Sequence, residues 1–345
     1  MFRKSLIARG GMAIDLGTAN VLVYMQDQGI VVREPCVVAV QNIKGEREIV
    51  AVGEEAKRMI GRTPGNIRAV RPLHDGVIAD VEVTEVMLKY FVRKAIGPRS
   101  MFRVKPNVVI CVPCGVTQVE RRAVEEAILQ AGAFDALIVE EPLAAAIGAD
   151  MPVDEPTGVM IVDIGGGTTE VAIISLGGIV ASQSIRLGGN RLDQAIMSYI
   201  RKTYNVSIGE YTAEELKIGL GSVYPMQNES RATIRGIDVE KHLPTTLEIS
   251  SEDIYRALRE PVRGIIDAIK QTLEDAPPEL SSDIMVRGIT LTGGGAQLLG
   301  LDALIHSETG IPAHVCKDPL DAVVLGAGKI VDDPRTMRLI DAAKR

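Results

Sequence analysis

Asp15 and Asp163 stand at matching places in the chain. Each ends an apolar run and opens a turn of glycine and threonine, Gly17-Thr18 after the first and Gly165 to Thr169 after the second. Glycine lacks a Cβ and admits close approach, and successive backbone N–H groups with threonine hydroxyls suit phosphate oxygens. Two carboxylates beside a polyphosphate require a cation between them, so the pattern calls for Mg2+ held largely through its waters. A strand-ending Asp-x-Gly is by itself an ordinary tight hairpin; its paired occurrence is what points to a ligand. A third cluster, Gly293, Gly294 and Gly295 in "LTGGGAQL", follows a strand and opens a helix. It reads either as a loop-to-helix junction or as bare backbone against which a flat adenine can lie. In "TAEELKIGLG", Glu214 and Lys217 lie one helical turn apart, which in isolation is an exposed ion pair of little energy.

The elements that must position these residues repeat. "AIDLGTANVLVYMQDQGIVV" (13–32) and "IVDIGGGTTEVAIISLGGIV" (161–180) share a strand ending in Asp, a Gly and Thr turn, a second strand, a glycine turn at Gly29 or Gly178, and a third strand. Two such units about 148 positions apart imply two domains of common design. After the first copy, a helix is expected chiefly over 85–96, a buried strand in "NVVICVP", a helix in "VERRAVEEAILQAGA" and a strand in "ALIVEEP". After the second, "RLDQAIMSYIRKTY" and "SEDIYRALREPVRGIIDAIKQTLED" read as helices, the latter with Ser251 at its cap, and "GITLTGGG" as a strand entering a glycine turn. Strands alternating with helices give an α/β fold with covered sheets, and the glycine turns face each other across a cleft.

Bulk properties narrow the function. A chain of 345 residues has room for two domains and a cleft between them, and its net charge of −7 argues against nucleic acid as a partner. No run reaches the apolar length of a spanning helix, and "MFRKSLIARGG" is too short in apolar length for a signal peptide, so a cytoplasmic chain is expected. Cys111 and Cys114 form a literal C-x-x-C, but Cys111 lies in a buried-strand pattern and no second pair or spaced histidine completes a zinc site. The four histidines, His74, His242, His306 and His314, are scattered.

The order "IDLGT", "VVICVP", "EEPLAAAIG", "VDIGGGTTE", "LGGNRLD", "AEELK" and "LTGGGAQL" resembles the actin, sugar-kinase and heat-shock-chaperone ATPase superfamily over nearly the whole chain. Within it, "AIDLGTANVLVY", "GRTPGNIRAVRPLHDGVIADVEVTE" and "PPELSSDIMVRGITLTGGGAQLLGLD" look like the bacterial actins of the MreB and Mbl type. The resemblance implies two related ribonuclease-H-like domains, each a mixed sheet covered by helices, around a nucleotide cleft. Domain I would take residues 1–151 and 321–345 with a small insert near 33–72, and domain II residues 152–320 with one near 206–250. It also implies a weak ATPase that polymerises with ATP and Mg2+. Carried over by position, phosphate contacts fall on Gly17, Thr18, Ala19, Asn20 and Gly165 to Gly167, metal coordination through water on Asp15 and Asp163, and adenosine contacts on Glu214, Lys217 and Gly293 to Gly295. Glu141 matches the position that orients the attacking water, with Thr168 assisting. Glu141-Pro142 is equally what a helix start looks like, an acid near the positive dipole end and proline in the first turn. Cys114 departs from the small hydroxyl residue expected there, which weakens one polar contact near the γ-phosphate.

Between Arg93 and Lys105 five cations occur without an acid, around Met101 and Phe102. The phenylalanine either tucks into its own domain or forms an apolar tip rimmed by cations, suited to an anionic lipid surface. "MFRKSLIA" pairs Phe2, Leu6 and Ile7 with Arg3, Lys4 and Arg9 in a second such patch. Members of the resembled family lie on the inner membrane as filaments and organise the cell-wall elongation machinery, so many weak patches would act by avidity. The competing expectations are a soluble sugar-type kinase and a chaperone-like ATPase. The chain ends soon after "PLDAVVLGAGKIV", leaving no peptide-binding domain, which disfavours the chaperone.

Overall fold

The computed structural model describes residues 10–43, 46–97, 105–224 and 229–333. The membrane candidates Phe2, Leu6, Ile7, Met101 and Phe102 lie outside them.

The first lobe opens with β1 (Gly11–Leu16), β2 (Asn20–Met25) and β3 (Gly29–Pro35). A small sheet follows from β4 (Val38–Ile43), β5 (Glu46–Val52) and β6 (Ile67–Val70), with α1 (Glu54–Met59) between the last two. A hairpin, β7 (Leu73–His74) and β8 (Val77–Ile78), leads to α2 (Val81–Ile96). Then come β9 (Asn107–Val112), α3 (Gln118–Ala131), β10 (Asp135–Glu140) and α4 (Glu141–Gly148). The second lobe repeats the plan with β11 (Val159–Ile164), β12 (Thr169–Ser175), β13 (Gly178–Ile185) and α5 (Gly189–Tyr204). Its small sheet joins β14 (Val206–Ser207), β15 (Arg231–Asp238) and β16 (Pro244–Ser250), with α6 (Glu210–Leu220) inserted. It ends with α7 (Ser251–Glu274), α8 (Pro278–Arg287), β17 (Ile289–Thr292), α9 (Leu301–Thr309) and β18 (Ala313–Val315). Finally α10 (Ala322–Asp332) returns to pack on α4, β1 and β9.

The two principal sheets have one topology, β10-β9-β1-β2-β3 and β13-β12-β11-β17-β18. In each, the first hairpin is antiparallel and the two later strands add parallel on its other side. The expected α/β class and the duplication are both present.

Strand alternation then fixes what each residue faces. Met12, Ile14 and Leu16 of β1 enter the core beneath α2 and α3, while Ala13 enters a second core shared with α4 and α10. Likewise Met160, Val162 and Ile164 of β11 pack toward α5 and α7, while Val159 and Ile161 enter that same shared core. By parity Asp15 and Asp163 point toward the shared side, and both sit where their strands end. The α4–α10 pair is the layer between the sheets, and it is tight. A Cβ at Gly148 would lie 1.8 Å from the Ala322 carbonyl oxygen, and one at Gly326 would lie 1.8 Å from that of Ala144. Lys329 of α10 caps the last carbonyls of α4, donating to the oxygens of Ile147 (2.9 Å) and Gly148 (3.3 Å) and to Asp150 (2.7 Å).

Helix boundaries moved by a few residues; α5, for instance, begins at Gly189 rather than Arg191. The second helix begins at Val81, capped by the Asp80 carboxylate accepting from the Val83 N–H, four residues before the expected start. The cap of α7 is Ser250, one residue earlier than expected, in a reciprocal capping box with Asp253.

Candidate functional site

The two glycine and threonine turns meet. A Cβ on Gly166 would fall 2.4 Å from that of Ala19, and one on Gly167 would fall 2.7 Å from the Thr18 hydroxyl oxygen. The side chains missing from the second turn therefore make room for the first turn as well as for any ligand. Gly165 is different: its nearest neighbour is the Thr168 carbonyl at 3.4 Å. The Gly165 and Gly166 carbonyls accept the Gly189 and Asn190 N–H groups at the start of α5 (2.9 and 2.8 Å), which fixes the turn from behind. On the other side, Thr18 Oγ1 accepts the Gly76 N–H at 3.1 Å, and Gly76 crosses close to Thr168 and Pro113 with a left-handed φ of 77°.

Around the meeting point lies a cavity of about 600 Å3, within the size range of small-molecule sites. Asp15, Gly17 to Asn20, Glu141, Asp163, Gly165, Gly166, Thr168, Glu214, Lys217 and Gly293 to Gly295 all line it. Of the residues expected around a nucleotide, only Gly167 is outside that lining, turned against Thr18.

The third glycine cluster runs back against the end of β11. A Cβ on Gly293 would come 2.3 Å from the Ile164 carbonyl oxygen, and one on Gly295 would come 2.2 Å from the Ile164 side chain. Instead of opening an α-helix directly, "GGAQ" (Gly294–Gln297) forms one 3-10 turn. Gly293 has φ 79°, and its N–H is donated to Pro319. Lys217 Nζ reaches Asp193 at 2.8 Å and the Gly189 carbonyl at 3.1 Å, tying α6 to the start of α5. Glu214 turns the other way and pairs with Lys57 of α1 in the opposite lobe at 3.3 Å. One turn earlier, Glu210 pairs with Arg71 at 2.9 Å. These two ion pairs cross an outer vestibule of about 530 Å3 that opens beside Thr18 to Asn20.

Acids dominate the floor. Burial first, then the Asp163 and Asp321 charges, push the Asp15 carboxyl from its ordinary 3.8 up to about 7. Burial raises Asp163 to about 6, against the hydroxyl of Thr292, which donates to Asp163 Oδ1 at 3.0 Å. Glu141, 8% exposed at the first turn of α4, is raised well above the ordinary value, by burial and then by Asp15, Glu170 and Asp163. Carboxyls whose charge is penalised by burial and by one another gain from a hard divalent cation, and oxygen-only ligands fit Mg2+. Asp15 and Asp163 are the carboxyls that would face such a cation.

Sequence reasoning missed four contributors: Glu170 on β12, Thr292 on β17, the Gly188–Asn190 turn and the cross-cleft cations Lys57 and Arg71. Glu170 carried a signal, being an acid in an otherwise apolar strand with the same parity as the inward Ala172 and Ile174.

The protein family model described as MreB/Mbl protein matches residues 9–339. The chain is 51% identical to the cell shape-determining protein MreB of Escherichia coli (strain K12), over 93% of each chain. It is 49% identical to the cell shape-determining protein Mbl of Bacillus subtilis (strain 168), over 93% of this chain and 96% of that one. Among solved structures, MreB5 of Spiroplasma citri bound to AMPPNP superposes with a TM-score of 0.89 at 38% identity, covering 98% of this chain and 99% of that one. A MamK double helical filament shares the fold alone, with a TM-score of 0.79 at 24% identity over 94% and 99% of the two chains. These likenesses favour the bacterial-actin reading over a sugar-type kinase. Two duplicated lobes closing on one acid-floored cavity, matched along almost the whole sequence, identify the chain as a member of the MreB/Mbl family of actin-like proteins.

Proposed function

We propose that this chain binds ATP with Mg2+ between its lobes, hydrolyses it slowly, and polymerises into filaments that lie on the inner membrane and organise cell-wall synthesis to keep a rod shape. The observation that carries the reading is the meeting of the two glycine and threonine turns over Asp15, Asp163 and Glu141 in one cavity. The lobes correspond to domain I, residues 1–151 and 321–345, and domain II, residues 152–320, each with its small sheet as an insert.

ATP supplies the scissile phosphoanhydride and Mg2+ neutralises its charge. Backbone N–H groups and hydroxyls of Gly17, Thr18, Asn20, Gly165 and Gly166 receive the phosphates, and Ala19 backs the second turn. Asp15 and Asp163 would hold the metal, as the carboxyls nearest the phosphate turns. Gly293 to Gly295, Glu214 and Lys217 border the adenosine. Glu141 orients the attacking water from the first lobe with Thr168 across from it, so the protein orients and neutralises without a covalent intermediate. Filament formation is supported by membership of the actin-like MreB/Mbl family and by the shared fold of the MamK double helical filament, and the role in cell shape by the relatives' names. Membrane contact rests on the sequence around Phe2, Leu6, Ile7, Met101 and Phe102, and no helix among the described residues is long and apolar enough to cross a bilayer.

Sedimentation tests the reading. Purified protein with ATP and Mg2+ is expected to pellet as polymer and release phosphate without any acceptor. Protein that stays in the supernatant and consumes ATP only when a sugar or other acceptor is added refutes it.

A further inference from the structure

Glu170 is 1% exposed, two residues beyond Thr168, in a strand whose other residues are mostly apolar. Burying a carboxylate so completely is costly unless both oxygens are satisfied. Here they are satisfied from two different lobes. Oε1 accepts the Ser184 hydroxyl at 2.7 Å, from the adjoining strand β13. Oε2 accepts the Cys114 N–H at 3.0 Å, where the chain leaves β9 of the first lobe for α3. The second bond crosses the floor of the cleft, directly between the strand end that carries Thr168 and the sheet whose β10 leads into Glu141.

We infer that Glu170 is a positioning residue for hydrolysis: by holding the Pro113–Cys114 turn against the start of β12, it keeps Glu141 and Thr168, which come from opposite lobes, in register across one water. The inference rests on the hydrolytic reading above. It assigns the backbone of Cys114, not its thiol, as the group that counts at that position, so the departure from a small hydroxyl residue leaves the bridge intact. The phosphate turns are held by the Gly189, Asn190 and Gly76 N–H groups and Asp163 by the Thr292 hydroxyl, so nucleotide binding does not depend on the bridge.

Three variants of the full chain test this, each measured for nucleotide affinity with a fluorescent ATP analogue and for single-turnover hydrolysis with Mg2+. Glu170→Ala removes both bonds and is expected to slow hydrolysis about 10- to 100-fold, the cost of a misplacement near 1 Å, with affinity within about threefold of wild type. Glu170→Gln keeps an oxygen for the Cys114 N–H and turns its amide to the rotatable Ser184 hydroxyl, so it is expected to recover most of the rate. Ser184→Ala leaves the cross-lobe bond and is expected to hydrolyse within about threefold of wild type. Retained affinity shows that a slow variant is folded. An Ala variant at the wild-type rate overturns the inference, as does a Gln variant as slow as Ala, which would assign the role to the charge or a proton. Affinity lost in step with rate would make Glu170 a structural support of the binding site and overturn it too. Wild-type protein that binds ATP without hydrolysing it overturns the hydrolytic reading itself, and this inference with it.

Discussion

Replacing Gly148 with alanine at the α4–α10 crossing has a calculable consequence. The new Cβ would stand 1.8 Å from the Ala322 carbonyl oxygen and 2.7 Å from its carbon, whereas ordinary contact begins near 3.4 Å. The helices must therefore part by about 1.6 Å at that point, and a gap of even 0.5–1 Å forfeits a quarter to a half of each dispersion contact it opens. Overpacking of this kind costs about 2–3 kcal/mol, or a fall in Tm of about 3–4 °C for a chain of this size. Gly326→Ala presses on the same crossing from the other helix, 1.8 Å from the Ala144 oxygen, and should cost a similar amount. Once the first substitution has separated the helices, the second meets less resistance, so the double variant should lose at least about 1 kcal/mol less than the sum of the singles. Thermal unfolding of the two singles and the double, with nucleotide held fixed, measures this. Singles within about 1 °C of wild type, or a double that is strictly additive, would refute the backbone-to-backbone contact. Because Glu141 begins α4, the singles should also hydrolyse more slowly at temperatures where they remain folded.

Asp163→Ala is expected to abolish Mg-ATP binding, while Glu141→Ala spares binding and slows hydrolysis; wild-type turnover in the latter would remove Glu141 from the mechanism. The pairs Lys57–Glu214 and Arg71–Glu210 are exposed and worth about 0.5 kcal/mol each. Breaking both with Lys57→Glu and Arg71→Glu should thus speed release of a fluorescent nucleotide up to about fivefold, with Glu210→Lys recovering the share lost at Arg71; release unaffected by the reversals excludes a role for the pairs in closure. Asp15, Asp163 and Glu170 have folded values near 7, 6 and 7 against ordinary ones of 3.8, 3.8 and 4.5, so the folded state holds extra protons in between. Nucleotide-free protein in chelator should lose stability as pH rises from about 4 through about 7, with calorimetry as the measure and a rise over that window as the contrary result. Met101→Ser with Phe102→Ser should free filaments from anionic liposomes; unchanged co-flotation assigns lipid contact to another segment.

Much of this architecture is legible in the sequence because the duplication preserves period-2 alternation. Asp15 and Asp163 share parity with Ala13 and Ile161, so their convergence follows once the two hairpins are seen as copies. What escaped is of two kinds. Local pattern puts the start of the second helix near 85, whereas the Asp80 cap and tertiary packing carry it back through "VEVT" to Val81. The rest is long-range contact without a sequence signature. Gly166 and Gly167 look like room for a ligand, and only the folded chain reveals the first turn filling part of that room. Gly148 and Gly326 look like ordinary helix glycines, and the Glu170 bridge joins residues 56 positions apart.

The two copies differ at one telling spot. Asp163 pairs across parallel strands with Thr292, whose hydroxyl grips it, whereas the equivalent neighbour of Asp15 is Cys111, and among the described residues no side chain donates to the Asp15 carboxylate. The duplication thus carries one acid braced by a hydroxyl and one that is not. On the nucleotide reading proposed above, the unbraced acid is the one expected to shift when the bound polyphosphate changes length, so the broken symmetry would register what the cleft contains.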